Sequence, residues 1–243
     1  MSARPTAVLL QARHFDDAQL EAERRLFAER LALPPTDVAS HNLLTGPPQR
    51  RAMVGHDVIL IGGSGDFYVS NGLFPQQEAI FEALREAVEG PRPIFASCFG
   101  FHLLTAALGG EVIHDPERME LGTYRIELTP AGREDQLLGR LPAGFDAQLG
   151  RKDRALKLPG GVKRLAGSEL CPHQAFKVER RPVWATQFHP ELDEDSNRER
   201  YLTYAAGYSG VLGSDAHEEV LRRFAPSPET GGLLRGFLDL VLS

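Results

Sequence analysis

Short apolar runs alternate with segments of helical periodicity along the first 110 residues of the chain. The mostly apolar runs, each of which predicts a buried β-strand, are 6–10, 57–61 and 93–96. The segments with apolar residues at three- and four-residue intervals, which predict helices, are 17–33, 75–89 and 99–108. Strands and helices that alternate in this way are typical of a mostly parallel sheet with helices on both faces.

The second half of the chain has a different pattern. Its predicted strands are 124–128, 175–178 and 183–188, of which the last two are joined by a hairpin turn at 179–182. Its predicted helices are 193–207, 216–224 and 232–242. No segment is rich enough in Gly, Pro or Ser to separate two domains. We therefore expect a single α/β domain over residues 1–243, with a mostly parallel central sheet flanked by helices and a small antiparallel hairpin region.

Composition and charge narrow the class of protein. The 243 residues are 42% hydrophobic and 25% charged, which suits a soluble globular domain. A net charge of −6 without a dense basic run argues against a nucleic-acid partner. The apolar stretch at the N-terminus is too short for a signal peptide or a membrane span. Only two cysteines are present, so we expect neither a disulfide framework nor a structural zinc site. Such a low cysteine content also favours a cytoplasmic location.

One cysteine stands where a strand gives way to a helix. Cys98 lies in the sequence FASCFGFHLL, with the small residues Ala96 and Gly100 on either side of it. Ligands of parallel sheets bind beyond the carboxyl ends of the strands, and a helix N-terminus favours a thiolate. The pattern therefore fits a reactive nucleophile, but this stretch alone fits an inert buried thiol equally well.

A thiolate nucleophile needs a base, and two histidines are candidates. His102 follows Cys98 by one helical turn, but from within the helix it would project beside the cysteine backbone. His189 is the better candidate because it follows a predicted strand directly, in the sequence ATQFHPE. Glu191, two residues later, can hold the tautomer of the imidazole and stabilise its protonated form.

Acyl chemistry also needs hydrogen-bond donors for the developing oxyanion. The strand at 57–61 leads into a glycine-rich turn at 62–65, whose backbone N–H groups can face the same crevice as Cys98. Together with the Phe99 N–H, they would form an oxyanion hole. A tight loop or a phosphate-binding turn would have a similar sequence, although the lysine of a P-loop is missing here.

These three segments, in this order, resemble the class I (triad-type) glutamine amidotransferase family. They are LIGGSG at 60–65, ASCFGFHLLTAALGG at 96–110 and TQFHPEL at 186–192. The resemblance covers about residues 57–192 and, more loosely, the whole chain, which looks closest to stand-alone proteins similar to the amidotransferase domain of GMP synthase. It implies a flavodoxin-like, three-layer fold, and hydrolysis of the glutamine side-chain amide through a γ-glutamyl thioester with release of ammonia.

The resemblance also implies a role for each matched residue. Cys98 would be the nucleophile, His189 the general base and acid, and Glu191 the residue that orients His189. Gly63 and Phe99 would donate their N–H groups to the oxyanion. The implied site contains no metal and no cofactor.

One residue departs from the family pattern. Where the family usually has a glutamine that helps to hold the amino-acid end of the substrate, this chain has His102. We therefore assign His102 to substrate binding, with three interpretations open. Glutamine is bound in an altered way, the substrate is another γ-glutamyl compound, or the site is impaired.

The resemblance leaves the destination of the ammonia open. The sequence shows no P-loop and no nucleotide-binding acceptor domain. A separate synthetase subunit would then receive the ammonia, or the protein would act alone as an amidase, γ-glutamyl peptidase or γ-glutamyl hydrolase. A non-catalytic regulatory or binding subunit with an altered pocket is the alternative from a different functional class. The expected ligand is a small molecule, with no membrane or nucleic acid involved.

Three other features receive structural interpretations. Cys171 lies in a predicted strand–loop region with no helix to activate it, so we expect structural packing. Asp193 would begin the next helix, with a fallback role as the residue that orients His189. The charged run at 151–154 stands where relatives place a substrate-pocket loop, which leaves a role in binding an acidic ligand open, but we expect it to be a solvated surface.

Overall fold

A mixed β-sheet runs through the middle of the molecule. The computed structural model describes residues 4–72, 74–208 and 216–243, and the expected single domain thus includes residues 1–3, 73 and 209–215, which lie outside the described residues. The strands are β1 (Ala7–Ala12), β2 (Val38–Asn42), β3 (Val58–Ser64), β4 (Ile94–Ser97), β5 (Glu111–His114), β6 (Glu120–Leu128), β7 (Gly144–Arg151), β8 (Asp153–Lys157), β9 (Val162–Gly167), β10 (Ala175–Val178) and β11 (Val183–Thr186).

Within the described ranges, nine of these strands form the central sheet, in the order β2-β1-β3-β4-β11-β10-β9-β6-β7. The first five in this order pair in parallel, and the remaining neighbours pair antiparallel. Strands β5 and β8 form a separate antiparallel pair. The predicted α/β fold with a mostly parallel central sheet, helices on its faces and an antiparallel region is confirmed.

Helices cover both faces of the sheet. They are α1 (Gln19–Leu31), α2 (Arg50–Val54), α3 (Gln77–Glu89), α4 (Phe99–Ala107), α5 (Pro130–Arg133), α6 (Glu194–Thr203), α7 (Ala205–Tyr208), α8 (Ala216–Leu221) and α9 (Leu233–Val241). Short 3-10 helices occur at Pro35–Asp37, Leu43–Thr45, Pro116–Arg118, Leu138–Arg140 and Pro228–Gly232. None of the helices in the described residues is both long and apolar enough to cross a membrane.

The alternation of side chains along β1 shows how the two core layers arise. Leu9 packs with α1 and α9 on one face, whereas Val8 and Leu10 pack with α3 and α4 on the other. Because both faces of these parallel strands are buried, the strands appear in the sequence as continuous apolar runs rather than as alternating ones.

The parallel part of the sheet determines where a site can form. Strand β4 lies between β3 and β11 and pairs with both in parallel. The carboxyl ends of these three strands therefore meet at one edge of the sheet, where the chain emerges into the glycine turn, Cys98 and the His–Pro–Glu segment.

Candidate active site

Cys98 occupies a strained turn between β4 and α4. Its backbone has φ 51° and ψ −104°, in the left-handed region that residues other than glycine rarely adopt. The turn is tight enough that a Cβ at Gly100 would lie 2.4 Å from the carbonyl oxygen of Ile61. The Cys98 N–H donates to the Thr186 carbonyl at 2.8 Å, which ties the turn to the end of β11. Glycine at position 100 is thus a geometric requirement of this turn.

His189 meets the thiol from the neighbouring strand. Residues 94–97 of β4 pair in register with 183–186 of β11, so the loop after β11 emerges beside Cys98. The His189 side chain lies close enough to the Cys98 thiol for each group to shift the pKa of the other. The His189 N–H donates to the Gln148 carbonyl at 2.9 Å, which fixes this loop against β7. The structure therefore brings together two residues that are 91 positions apart in the sequence.

Glu191 completes a line of three side chains. Its Oε1 lies 2.5 Å from Nδ1 of His189, and both side chains are fully buried. A carboxylate on Nδ1 holds the proton on that nitrogen and leaves Nε2 for exchange with the thiol. Asp193, the fallback candidate, instead caps α6 by accepting the Ser196 N–H at 2.9 Å.

The charges around Cys98 favour a thiolate paired with an imidazolium. Burial opposes ionisation of the thiol, but His189 and Arg200 outweigh it and lower the pKa of Cys98. Burial likewise opposes protonation of His189, yet Cys98 and Glu191 raise its pKa to about 9, against the effect of Arg200. The two shifts run in the directions that an activated cysteine nucleophile needs.

The predicted glycine turn at 62–65 begins as a continuation of β3, which runs to Ser64, and it faces this pair with a further difference from the expectation. The Gly63 N–H, predicted as an oxyanion donor, donates here to Oε1 of Glu23 at 2.7 Å. The second predicted donor, Phe99, is the first residue of α4, where an N–H has no acceptor within its own helix. The Phe99 amide thus lies directly after the nucleophile at a helix N-terminus.

His102 lies inside the same cleft. The side chain is buried, its Nε2 is 3.1 Å from Oε1 of Gln187, and it lines the cleft together with Cys98. Burial lowers the pKa of His102 to about 4, so the ring is neutral at pH 7. As the base, His102 would compete poorly with His189, whose ring is the one that lowers the pKa of the thiol.

The expectation of a solvated surface for the charged run at 151–154 is wrong. All four side chains are buried, and Arg151, Lys152 and Asp153 line the cleft beside Cys98. Their charges are tolerated because each has a partner. These partners are Glu120 for Arg151, the Gly207 carbonyl for Lys152, Ser70 for Asp153 and Asp115 for Arg154.

Sequence reasoning missed three charged residues next to the site, Arg13, Glu23 and Arg200. Arg200 on α6 contacts His189, and Glu23 on α1 binds both Gly63 and Arg13. The only signal for Arg200 in the sequence is that Asn197, Arg200 and Tyr201 have the spacing of one helix face directly after the His–Pro–Glu segment; the structure shows that this face is buried. Single charged residues on helices are usually solvated, so this signal is weak.

The second cysteine, Cys171, packs in the core as expected. Cys171 is fully buried away from the cleft, and burial raises the pKa of its thiol. This is the environment of an inert core cysteine.

Across the residues with described positions, no three His, Cys, Asp or Glu side chains cluster in a way that would hold a metal ion.

Comparisons with known proteins identify the family and the fold of this chain. The family model "Glutamine amidotransferase class-I" matches residues 35–205. A protein from Methanocaldococcus jannaschii, named as one subunit of a glutamine-hydrolyzing GMP synthase, is 32% identical over 118 residues, which are 49% of this chain and 61% of that relative. Its counterpart from Pyrococcus abyssi is 33% identical over 120 residues, covering 49% of this chain and 62% of the relative. The matched region thus spans less than two thirds of either relative.

Solved structures show the same fold. A glutamine amidotransferase from Thermotoga maritima superposes with a TM-score of 0.73 at 19% identity, covering 99% of this chain and 100% of that one. One from Methylobacillus flagellatus gives a TM-score of 0.71 at 19% identity, covering 99% and 94%. Because the family model spans well over half of the sequence, the chain belongs to the class I glutamine amidotransferase family.

Proposed function

We propose that this protein hydrolyses the side-chain amide of glutamine, with Cys98 as the nucleophile, His189 as the general acid and base, and Glu191 as the residue that orients His189. The observation that supports this most directly is the arrangement at the carboxyl edge of the sheet, where His189 is bonded to Glu191 and lies close enough to Cys98 to lower the pKa of its thiol. Membership of the amidotransferase family supports the same chemistry.

The first half of the proposed reaction forms a thioester. The Cys98 thiolate attacks the side-chain carbonyl carbon of glutamine, and the carbonyl oxygen takes up the negative charge. The His189 imidazolium gives its proton to the amide nitrogen, the carbon–nitrogen bond breaks, and ammonia leaves. His189 is then neutral, and the γ-glutamyl group is bonded to the sulfur of Cys98.

The second half releases glutamate. Neutral His189 takes a proton from a water molecule that attacks the thioester carbon, and the carbon–sulfur bond breaks to regenerate the thiolate–imidazolium pair. The Phe99 N–H would donate to the oxyanion in both halves. The Gly63 N–H would join it only after exchanging its hydrogen bond to Glu23 for one to the substrate.

The relatives suggest where the ammonia goes. Those from Methanocaldococcus jannaschii and Pyrococcus abyssi are each named as one subunit of a glutamine-hydrolyzing GMP synthase. By analogy, we propose that a separate synthetase subunit consumes the ammonia that this chain releases. His102 keeps the second candidate function open, in which the amide belongs to another γ-glutamyl compound.

Covalent labelling tests the proposed nucleophile. A diazo-ketone analogue of glutamine should add one equivalent to the full chain, and peptide mass spectrometry should place it on Cys98. Cys171 serves as the internal control because its buried thiol has a raised pKa and should remain unlabelled. Label on Cys171, or no label at saturating reagent, would argue against a glutamine-binding thiol at position 98.

Position 102 tests the choice of substrate. We expect His102→Gln to lower the KM for glutamine by about 2- to 10-fold, since the family residue would restore one hydrogen bond to the substrate. Steady-state ammonia release from glutamine and from a panel of γ-glutamyl amides, compared with the unaltered protein, measures this effect. Identical KM values for every substrate would show that residue 102 does not contact the substrate.

A further inference from the structure

Arg200 lies against the imidazole of His189. Its Nη1 is 3.1 Å from Nδ1 and 3.0 Å from Nε2 of the ring. Nearly equal distances to both nitrogens place the guanidinium nitrogen over the ring rather than in line with one nitrogen. Its Nη2 donates to the Ser64 carbonyl at 3.3 Å, and the residue is only 9% exposed. The guanidinium therefore bridges His189 and the glycine turn.

A buried carboxylate, that of Glu23, lies close to this cation and interacts with it electrostatically. Glu23 accepts the Arg13 Nε–H at 3.0 Å through Oε2 and the Gly63 N–H at 2.7 Å through Oε1. A Cβ built on Gly63 would lie 2.7 Å from Nη2 of Arg200, 3.0 Å from Oε1 of Glu23 and 3.3 Å from Nη2 of Arg13. One anion and two cations thus converge above the α-carbon of the predicted oxyanion donor.

Arg200 is one of the few cations that offset the buried anions around the thiol. These anions include the Cys98 thiolate, Glu191, Glu23 and Asp17, and the cations include the His189 imidazolium, Arg13 and Arg200. An uncompensated charge in a buried site is costly, and the least acidic anion would take up a proton to remove it. Without Arg200 that anion is the thiolate, because the carboxylic acids are intrinsically far stronger.

We propose that Arg200 is a positioning residue, which holds the His189 ring against the Cys98 thiol and supplies the positive charge that keeps the thiol ionised. Glu23, fixed by Arg13, keeps Arg200 over the ring. The inference rests on the proposed function only in taking Cys98 as the reactive thiol. The proposal adds a second group of three side chains to the site. They are Arg13 in the loop after β1, Glu23 on α1 and Arg200 on α6.

Other ionisable groups surround Arg200 and the thiol. The groups that face them from neighbouring elements, besides Cys98 and His189 themselves, are Arg13, Asp17, Glu23, Tyr68, His102, Arg151, Lys152, Asp153, Glu191, Tyr204 and Tyr208. Burial raises the pKa of the three tyrosines and lowers that of His102 to about 4, and Arg13 keeps the pKa of Glu23 at about 2 despite burial. Lys152 is unchanged in every variant compared below, so its titration affects all of them alike.

The test is the pH dependence of alkylation of Cys98 by iodoacetamide, followed on the full chain by mass spectrometry of the Cys98 peptide. Two transitions are expected, one for formation of the thiolate–imidazolium pair and one for loss of the imidazolium proton. In Arg200→Met both transitions should move to higher pH by about one unit, because removal of a nearby cation favours the protonated form of both groups. Below the first transition, the alkylation rate should fall about tenfold.

Three further variants separate this role from a structural one. Arg200→Lys keeps the charge and should restore most of the shift. Glu23→Gln removes the counter-charge of Arg200 and should move both transitions to lower pH, opposite to Arg200→Met. Arg198→Met, on the same helix and paired with Glu194, should leave both transitions in place.

The results of these measurements can support or overturn the proposed role of Arg200. Transitions that stay in place in Arg200→Met, or that move in the same direction in Arg200→Met and Glu23→Gln, would overturn the proposal. So would a rise in KM for glutamine without any change in alkylation, because Arg200 would then bind the substrate instead. Alkylation behaving as expected in a protein that does not hydrolyse glutamine would support the role of Arg200 and reject the proposed function.

Discussion

Replacement of Cys98 by serine lowers the kcat of glutamine hydrolysis by about 10⁴-fold or more and leaves the melting temperature nearly unchanged, if the proposed mechanism holds. The serine hydroxyl is a far weaker nucleophile, because at neutral pH it is not ionised as the thiol is. Its volume is slightly smaller, and it keeps the same backbone turn. Ammonia release and thermal unfolding of the same preparation measure the two quantities.

Cys171→Ser is the matched control for this substitution. Cys171 is fully buried, as Cys98 nearly is, but it lies away from the cleft and its pKa is raised rather than lowered. We expect it to retain hydrolysis. If Cys98→Ser unfolded the protein while Cys171→Ser did not, Cys98 would be an inert core residue with a packing role.

The parallel half of the fold is predictable from sequence because burial on both faces makes its strands apolar throughout. The apolar runs predict β1, β3 and β4 within two or three residues of where they occur. They do not predict the strands β2, β5, β7, β8 and β9. In β7 the buried Gln148 donates to the Ala225 carbonyl and to Ser227, some 77 and 79 residues away. A local pattern cannot show that such a distant partner exists, so a buried polar residue appears as a loop residue.

The site residues divide in the same way, into those that local sequence patterns predict and those that depend on distant packing. Cys98, His189 and Glu191 are recognisable because each lies within five residues of the end of a strand, where the topology of a parallel sheet brings chain segments together. Arg200 and Glu23 lie on helices, and only the packing of α1 and α6 against the end of β3 turns them towards the site. The prediction for the charged run at 151–154 is wrong for the same reason, since its partners lie in distant segments.

Removal of the charge on Glu191 has the second largest expected effect. We expect Glu191→Gln to lower kcat by about 10³- to 10⁴-fold, as removal of the third member does in other triads. Burial alone would lower the pKa of His189, and the Cys98 and Glu191 charges raise it to about 9. A neutral amide cannot stabilise the imidazolium, so the alkaline limb of the rate profile should also move to lower pH.

The Glu191 substitution is a sharp test because its structural cost is small and its control is close by. Oε2 of Glu191 has no hydrogen-bond partner in the described residues, so the amide group can occupy that side without displacing one, while its oxygen still accepts from Nδ1 of His189. Asp193→Asn changes a carboxylate two residues away, and asparagine remains a good cap for α6. Stopped-time ammonia assays between pH 6 and 10 should therefore show a large loss in Glu191→Gln and none in Asp193→Asn. The reverse result would make Asp193 the residue that orients His189, and the short contact between Glu191 and the imidazole would then have no part in catalysis.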